Sequence, residues 1–200
     1  MASISREEAT AITDAIFAGT IALHQRVRSQ LGPTILASLA MREAIAAGGR
    51  ILVFGNGGSA ADAQHFAAEL VGRFMRERPA MGAISLSTDS CVLTAISNDY
   101  SFRRVFVRQL EALGRPGDVA FGISTSGESP NVADGLRYAR ESRMRTIALT
   151  GRDGGSVGGA AEFHVNVPDQ SAQRVQEVHL TLIHVMCEVI EESAVEGSHA

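Results

Sequence analysis

The feature that most constrains this chain is an alternation that begins at Arg50. Ile51-Leu52-Val53-Phe54 is a short apolar run ending in glycine, and the residues from 59 to 73 then read as a helix. An apolar run with no polar interruption is the pattern of a parallel strand buried on both faces. The pairing recurs, with strands expected near 83–86, 118–123, 146–149 and 163–167. Helices are expected near 89–96, 102–113 and 131–141, and a last one over 172–193. Five short strands separated by helices imply an α/β fold: an open five-stranded parallel sheet flanked by helices on both faces. The glycine-rich stretch 151–159 reads as a loop, and there is no internal repeat or low-complexity linker.

Two further helices precede the first strand. Ser5 and Glu8 have the spacing of a capping box, in which each side chain satisfies a free N–H at the helix start. The residues from 6 to 30 follow, with Ile12, Ile16, Ile21, Leu23 and Val27 forming a broad apolar face. Gly32-Pro33 interrupts them, and residues 34–47 form a second helix closed by Gly48-Gly49. A lone sheet domain does not need both. Residues 1–49 are therefore expected to belong to the same domain as residues 50–200 and to use their surplus apolar surface against another subunit.

Composition narrows the setting. A length of 200 residues suits one domain, and 45% hydrophobic with 20% charged residues is the balance of an ordinary globular protein. A net charge of −4 offers no electrostatic reason for nucleic-acid binding, which leaves only a local basic patch at Arg103, Arg104 and Arg108. No apolar run approaches the roughly 20 residues that span a bilayer, and the N-terminus lacks the apolar core of a signal peptide. The expected compartment is the cytoplasm, without a membrane partner. Cys91 and Cys187 are far apart and sit in apolar sequence, so both are expected to be buried, reduced thiols.

Open parallel sheets bind ligands at the carboxyl ends of their strands, and three segments fall there. Gly55-Asn56-Gly57-Gly58-Ser59 joins the first strand to a helix. It suits an anion held on helix N–H groups and suits an ordinary turn equally well. Ser124-Thr125-Ser126-Gly127-Glu128-Ser129 places four hydroxyls ahead of a helix, where capping needs only one. The surplus points to phosphate, with the Glu128 carboxylate as a mild objection. Ser97-Asn98-Asp99-Tyr100 closes a helix and reads in isolation as a turn, or in a sugar site as hydroxyl-binding residues.

Two helices carry groups able to do chemistry. His65 and Glu69, four residues apart, share one helical face, which is good geometry for two metal ligands and also for a plain surface contact. The last helix carries Gln176, Glu177, His179 and His184. Either histidine fits a core position with one hydrogen-bond partner. Together with His65 and Glu69 they also form the N/O set that suits zinc.

The stretches GNGGSAADAQHFAAELVGRF, LTAISNDY, GISTSGESPNV, LTGRDGG and RVQEVHLTLIH, taken together, resemble the phosphoheptose isomerase family of the SIS (sugar isomerase) fold. The likeness covers nearly the whole chain. It implies an aldose–ketose isomerase that converts sedoheptulose 7-phosphate to D-glycero-D-manno-heptose 7-phosphate through a zinc-assisted enediolate. Carried over by position, it implies one zinc per subunit on His65, Glu69, Gln176 and His184. It implies Glu69 and His184 as the acid–base pair. Because coordination lowers the basicity of a carboxylate, Glu69 is expected to shift away from the metal as substrate binds. Substrate contacts would come from Asn56, Gly57, Gly58, Glu69, Asn98, Asp99, Ser124, Thr125, Ser126, Ser129 and Gln176. It also implies a homotetramer with sites near subunit interfaces.

Two departures from the family pattern stand out: Glu128, and Ser171-Ala172-Gln173, where relatives carry an Asp ahead of the helix. One spacing also needs explanation. Gln176 and His184 lie eight residues apart, roughly 12 Å along a regular helix, so both side chains must converge or a neighbouring subunit must contribute. Three rival readings share parts of the pattern: a non-catalytic SIS protein that binds a replication initiator, a sugar-phosphate sensor, and an isomerase of a related sugar phosphate. Retention of all four ligand positions argues against the first.

Overall fold

A computed structural model describes residues 3–192 of the chain. In order, it contains α1 (Arg6–Arg28), α2 (Gly32–Ala46), β1 (Ile51–Gly55), α3 (Gly58–Val71), β2 (Ala83–Ser85) and α4 (Ser90–Asp99). A 3₁₀ turn (Phe102–Arg104) leads into α5 (Val105–Leu113). Then come β3 (Val119–Ser124), α6 (Pro130–Glu141), β4 (Arg145–Gly151), α7 (Gly155–Gly158), β5 (Phe163–Val167) and α8 (Ala172–Glu191). Residue 193, the last of the expected final helix, lies outside the described residues.

The five strands form one parallel sheet in the order β2-β1-β3-β4-β5, with Ile51 opposite Ala83 on one side and Val119 on the other. The expected sheet is present. The chain leaves β1 in one direction to β2 and later returns to its other side with β3. A crevice therefore opens at the carboxyl ends of β1 and β3, where ligands of such sheets bind.

Strand alternation divides the core in two. Ile51, Val53, Phe121, Ile123, Ile147 and Leu149 face α1, α2, α3 and α8. Leu52, Phe54, Ala120 and Ala148 face α5 and α6. Successive side chains of a strand point to opposite faces, so an unbroken apolar run is what a two-faced core requires. Each fully buried Ile, Leu, Val or Phe here contributes about 1.5–3 kcal/mol relative to exposure.

The N-terminal region is capped as its sequence indicates. Ser5 Oγ accepts from Glu8 N–H at 3.1 Å, and Glu8 accepts from Ser5 N–H at 2.8 Å. Pro33 sits in the first turn of α2, where its missing N–H does no harm. On α1 only Leu23 and Val27 are buried, while Ile12, Ile16, Phe17 and Ile21 are exposed. Much of the apolar face read from the sequence thus looks outward in the single chain.

Three expectations need correction. Cys91 is exposed, because it lies in the first turn of α4 off the stripe of Leu93 and Ile96 that packs on the core; Cys187 is buried, and both are free. Arg103 pairs with Asp134, while Arg104 and Arg108 both pair with Glu111, so the suggested basic patch is neutralised by its own neighbours. The stretch 151–159 holds a helical turn, α7, entered through Gly154 and Gly155 at φ 91° and 49°. Among the described residues, no helix is long and apolar enough to cross a membrane.

Candidate active site

Two loops meet at the crevice. Between β1 and α3, Gly57 adopts φ 57° and ψ −122°, a conformation that favours glycine. No side chain caps α3. Across from it, Ser129 is the N-cap residue of α6, yet its side chain makes no capping hydrogen bond. Its hydroxyl lies 2.9 Å from Ser124 Oγ, which lies 3.3 Å from Ser126 Oγ. The capping explanation for the hydroxyl surplus therefore fails. Three hydroxyls converge at the start of α6, where Asn131 Oδ1 accepts from Val132 N–H at 3.0 Å and leaves the hydroxyls themselves free for an anion. The Glu128 objection falls as well, because its carboxylate accepts from Ser156 N–H at 3.3 Å.

The loops are joined by a residue the sequence reading did not single out. Asn56 and Asn131 exchange two side-chain hydrogen bonds of 2.9 Å, and Asn131 is almost fully buried. The available signal was an amide in the first turn of α6 beside Val132 and Ala133, a place where apolar residues are expected. The α7 turn braces the same loop from behind, through Val157 N–H to Gly127 O at 2.9 Å.

About two turns further along α3 the second part of the site appears. His65 Nε2 stands 2.9 Å from His184 Nε2 and 3.4 Å from Glu69 Oε1. Ligand atoms of all three residues lie within 4.8 Å of one another. Donor atoms of a tetrahedral zinc site stand roughly 3.3 Å apart, given metal–ligand bonds near 2.0–2.1 Å. Both the spacing and the chemistry, two imidazoles and a carboxylate, fit that ion. The Phe74 ring stacks on His184 with centroids 5.5 Å apart.

Gln176 lies in the first turns of α8, eight residues before His184. Its amide lies over Gly58, where a Cβ would meet Nε2 at 2.3 Å, and it bonds to Asp62, one turn before His65. Asp62 was also not singled out, although it falls on the buried stripe of α3 with Ser59, Ala63 and Phe66. Its Oδ2 is buried without a hydrogen-bond partner. Burial pushes the Asp62 carboxyl up, against the opposing pull of Gln176 and His65.

The remaining residues separate. Asn98 and Asp99 are exposed at the end of α4, with Asn98 donating to Asp99 at 2.8 Å. Thr125 is partly buried in the hydroxyl loop. His179 is a core residue. It is fully buried, and its Nε2–H donates to Thr150 O at 2.9 Å. Burial pushes it down to about 4, only partly opposed by that bond. Ser171 caps α8 by accepting from Arg174 N–H at 3.4 Å, and Asp169 in turn accepts from Ser171 N–H at 2.9 Å.

Sheet order, hydroxyl loop and helix-borne cluster together define a SIS-domain protein, and the SIS domain family matches residues 17–151. The chain is 53% identical over 166 residues to a phosphoheptose isomerase of Citrifermentans bemidjiense, covering 82% of this chain and 86% of that one. It is 56% identical over 151 residues to one from Aquifex aeolicus, covering 76% and 79%. Among solved structures, a phosphoheptose isomerase from Neisseria gonorrhoeae superposes with a TM-score of 0.87 at 46% identity, over 92% of this chain and 99% of that one. The chain belongs to the phosphoheptose isomerase family, and it is an isomerase.

Proposed function

We propose that the chain converts sedoheptulose 7-phosphate to D-glycero-D-manno-heptose 7-phosphate, using zinc held by His65, Glu69, Gln176 and His184. The observation that carries this reading is the His65–Glu69–His184 cluster, with His65 2.9 Å from His184 and 3.4 Å from Glu69, formed where the helix that starts at the glycine loop meets α8. His65 is seven residues beyond Gly58, roughly 10 Å along α3. A sugar phosphate anchored at the loops can therefore present its far end to the cluster.

The division of labour follows from the groups. Ser124, Thr125, Ser126 and Ser129 hold the phosphate through hydroxyls and the N-terminus of α6, and Asn56, Gly57 and Gly58 contact the sugar from the facing loop. Bound zinc would supply Lewis-acid stabilisation of negative charge on the sugar oxygens. Glu69 removes the proton next to the carbonyl, and His184 moves the second proton between oxygens. The phosphate anchor fixes the reacting carbons against both groups. Gln176, about two turns before His184 on α8, serves as fourth ligand and as a substrate contact. Asn98 and Asp99 contact the sugar hydroxyls.

The same reading places the protein in the cytoplasm as a homotetramer with residues 1–49 in the subunit interface. Exposed Ile12, Ile16 and Phe17 on α1, with Ile35 and Leu36 on α2, support it. So does a cavity of about 510 Å³ between α1 and α8, lined by Ile21, Val27, Leu31, Val178, Leu182 and Val185. Light scattering at micromolar concentration tests the assembly, and a monomer refutes it. Purified protein incubated with a panel of ketose phosphates tests the reaction. Turnover of the heptulose phosphate in preference to shorter ketose phosphates is expected, and no turnover of it overturns the proposal.

A further inference from the structure

The candidate metal cluster joins two helices distant in sequence, and something must hold them in register. Beneath it lies a buried ion pair that the reaction itself does not use. The side chains of Arg78 and Glu191 are 0% and 2% exposed, with Arg78 Nε 3.2 Å from Glu191 Oε1. Apolar residues of similar volume often stabilise a fold as well as a buried ion pair does. A pair retained here calls for a geometric explanation.

Its contacts supply one. The Arg78 guanidinium reaches back to the end of α3, donating to Glu69 O at 2.8 Å and Leu70 O at 2.9 Å. It thereby satisfies last-turn carbonyls that a helix end leaves free, including that of the residue read as the base. Glu191 sits seven residues after His184 on α8, two turns along the same helical face. Its carboxylate accepts the N–H groups of Phe74, Met75 and Arg76 at 3.2, 2.8 and 3.0 Å. These bonds fix the backbone of Phe74, whose ring stacks on His184. One cationic and one anionic side chain thus connect the Glu69 backbone, the following loop and the His184 helix.

We propose that the Arg78–Glu191 pair is a positioning device that sets the separation of His65 and Glu69 from His184 and thereby tunes metal affinity and proton transfer. Neither residue touches the reacting atoms. The inference rests on the reading of His65, Glu69 and His184 as the metal site. Binding of zinc and turnover by the unaltered protein test that reading separately.

The experiment replaces both charges at once, as Arg78→Met with Glu191→Leu, so that no lone charge is left buried. Zinc affinity is measured by competition with a chromophoric chelator, cobalt substitution reports ligand geometry through its visible spectrum, and kcat and KM are measured on the heptulose phosphate. The expected result is a folded protein with zinc affinity at least tenfold weaker, an altered cobalt spectrum, and a lower kcat with KM changed less than threefold. A purely structural pair would lower the melting temperature and leave zinc affinity, spectrum and kcat as they were, which overturns the proposal. Phe74→Leu, which keeps the ion pair, guards against a double variant that fails to fold. It should weaken zinc binding and shift the cobalt spectrum in the same direction, and wild-type behaviour in both overturns the proposal as well.

Discussion

The hydroxyl loop and the His–Glu–His cluster are two halves of one site built in opposite ways. The loop is assembled from Ser124, Ser126 and Ser129, all within one strand-to-helix connection. Its geometry follows from the end of β3, the turn at Gly127 and the start of α6, so most of it is local. The cluster brings His65 and His184 within 2.9 Å across 119 residues of sequence. It exists only because α3 and α8 pack together on one face of the sheet. The loop is therefore expected to tolerate distant changes that the cluster does not. Errors of a fraction of an ångström in helix packing are expected to disturb the cluster before they disturb the loop.

The sharpest way to test this separation is to disable the cluster while leaving the loop intact. Glu69→Gln should lower turnover roughly a thousandfold, since proton transfer is lost, while the dissociation constant for the sugar phosphate stays within about threefold. Chelation should likewise abolish isomerisation and leave the circular dichroism of the fold unchanged. Deuterium exchange from solvent into substrate, with zinc content measured on the same samples, reads both. Exchange at the wild-type rate in Glu69→Gln and in metal-free protein would remove Glu69 and zinc from the chemistry.

The next effect concerns the joint between the two regions. His179 ties α8 to the carbonyl of Thr150 at the end of β4, and its Nδ1 is buried with no partner. Protonation would place an unpaired charge in the core, so the fold favours the neutral ring and lowers its pKa from 6.5 to about 4. The stabilisation is fully present above pH 6.5 and is lost as pH falls from there to about 4, amounting to about 3 kcal/mol in all. Urea denaturation across that range should show the decline, and His179→Gln should flatten it. Equal slopes in the two proteins would mean that His179 is not the group responsible.

Smaller effects belong to the loop. Ser126→Ala should weaken sugar-phosphate binding by about 1–2 kcal/mol, through a lost hydrogen bond to a charged group, with kcat per bound substrate little changed. Titration calorimetry checks this, and unchanged affinity in Ser124→Ala, Ser126→Ala and Ser129→Ala together would rule the loop out. Glu128→Gln should change affinity by less than about twofold, because an exposed carboxylate directed at Ser156 N–H adds little. A large gain in affinity would show that the carboxylate does oppose the phosphate.

Much of this molecule was legible in the sequence because its determinants are local. An unbroken apolar run such as Ile51–Phe54 signals a strand covered on both faces, and five short strands separated by helices leave little choice of architecture. The Ser5–Glu8 capping box and the hydroxyl surplus after β3 are short-range patterns, and their geometry follows from a few backbone angles. His65 and Glu69 share a helix, so their common face is fixed by the helical period.

Tertiary structure decided what depends on contacts between distant segments. The choice of His184 over His179 for the cluster could not be read from α8, since both histidines lie among apolar residues. Only the position of α3 shows that one faces His65 while the other points at β4. Asn131, Asp62, Arg78 and Glu191 look ordinary in sequence, because a buried polar residue acquires its meaning from the partner that compensates its desolvation. Those partners, Asn56, Gln176 and the loop at Phe74, come from other elements. The Gln176 amide lies over Gly58, a contact made possible by the absence of a side chain there. Periodicity determines which face of an element is apolar, and packing alone determines which polar groups are brought together.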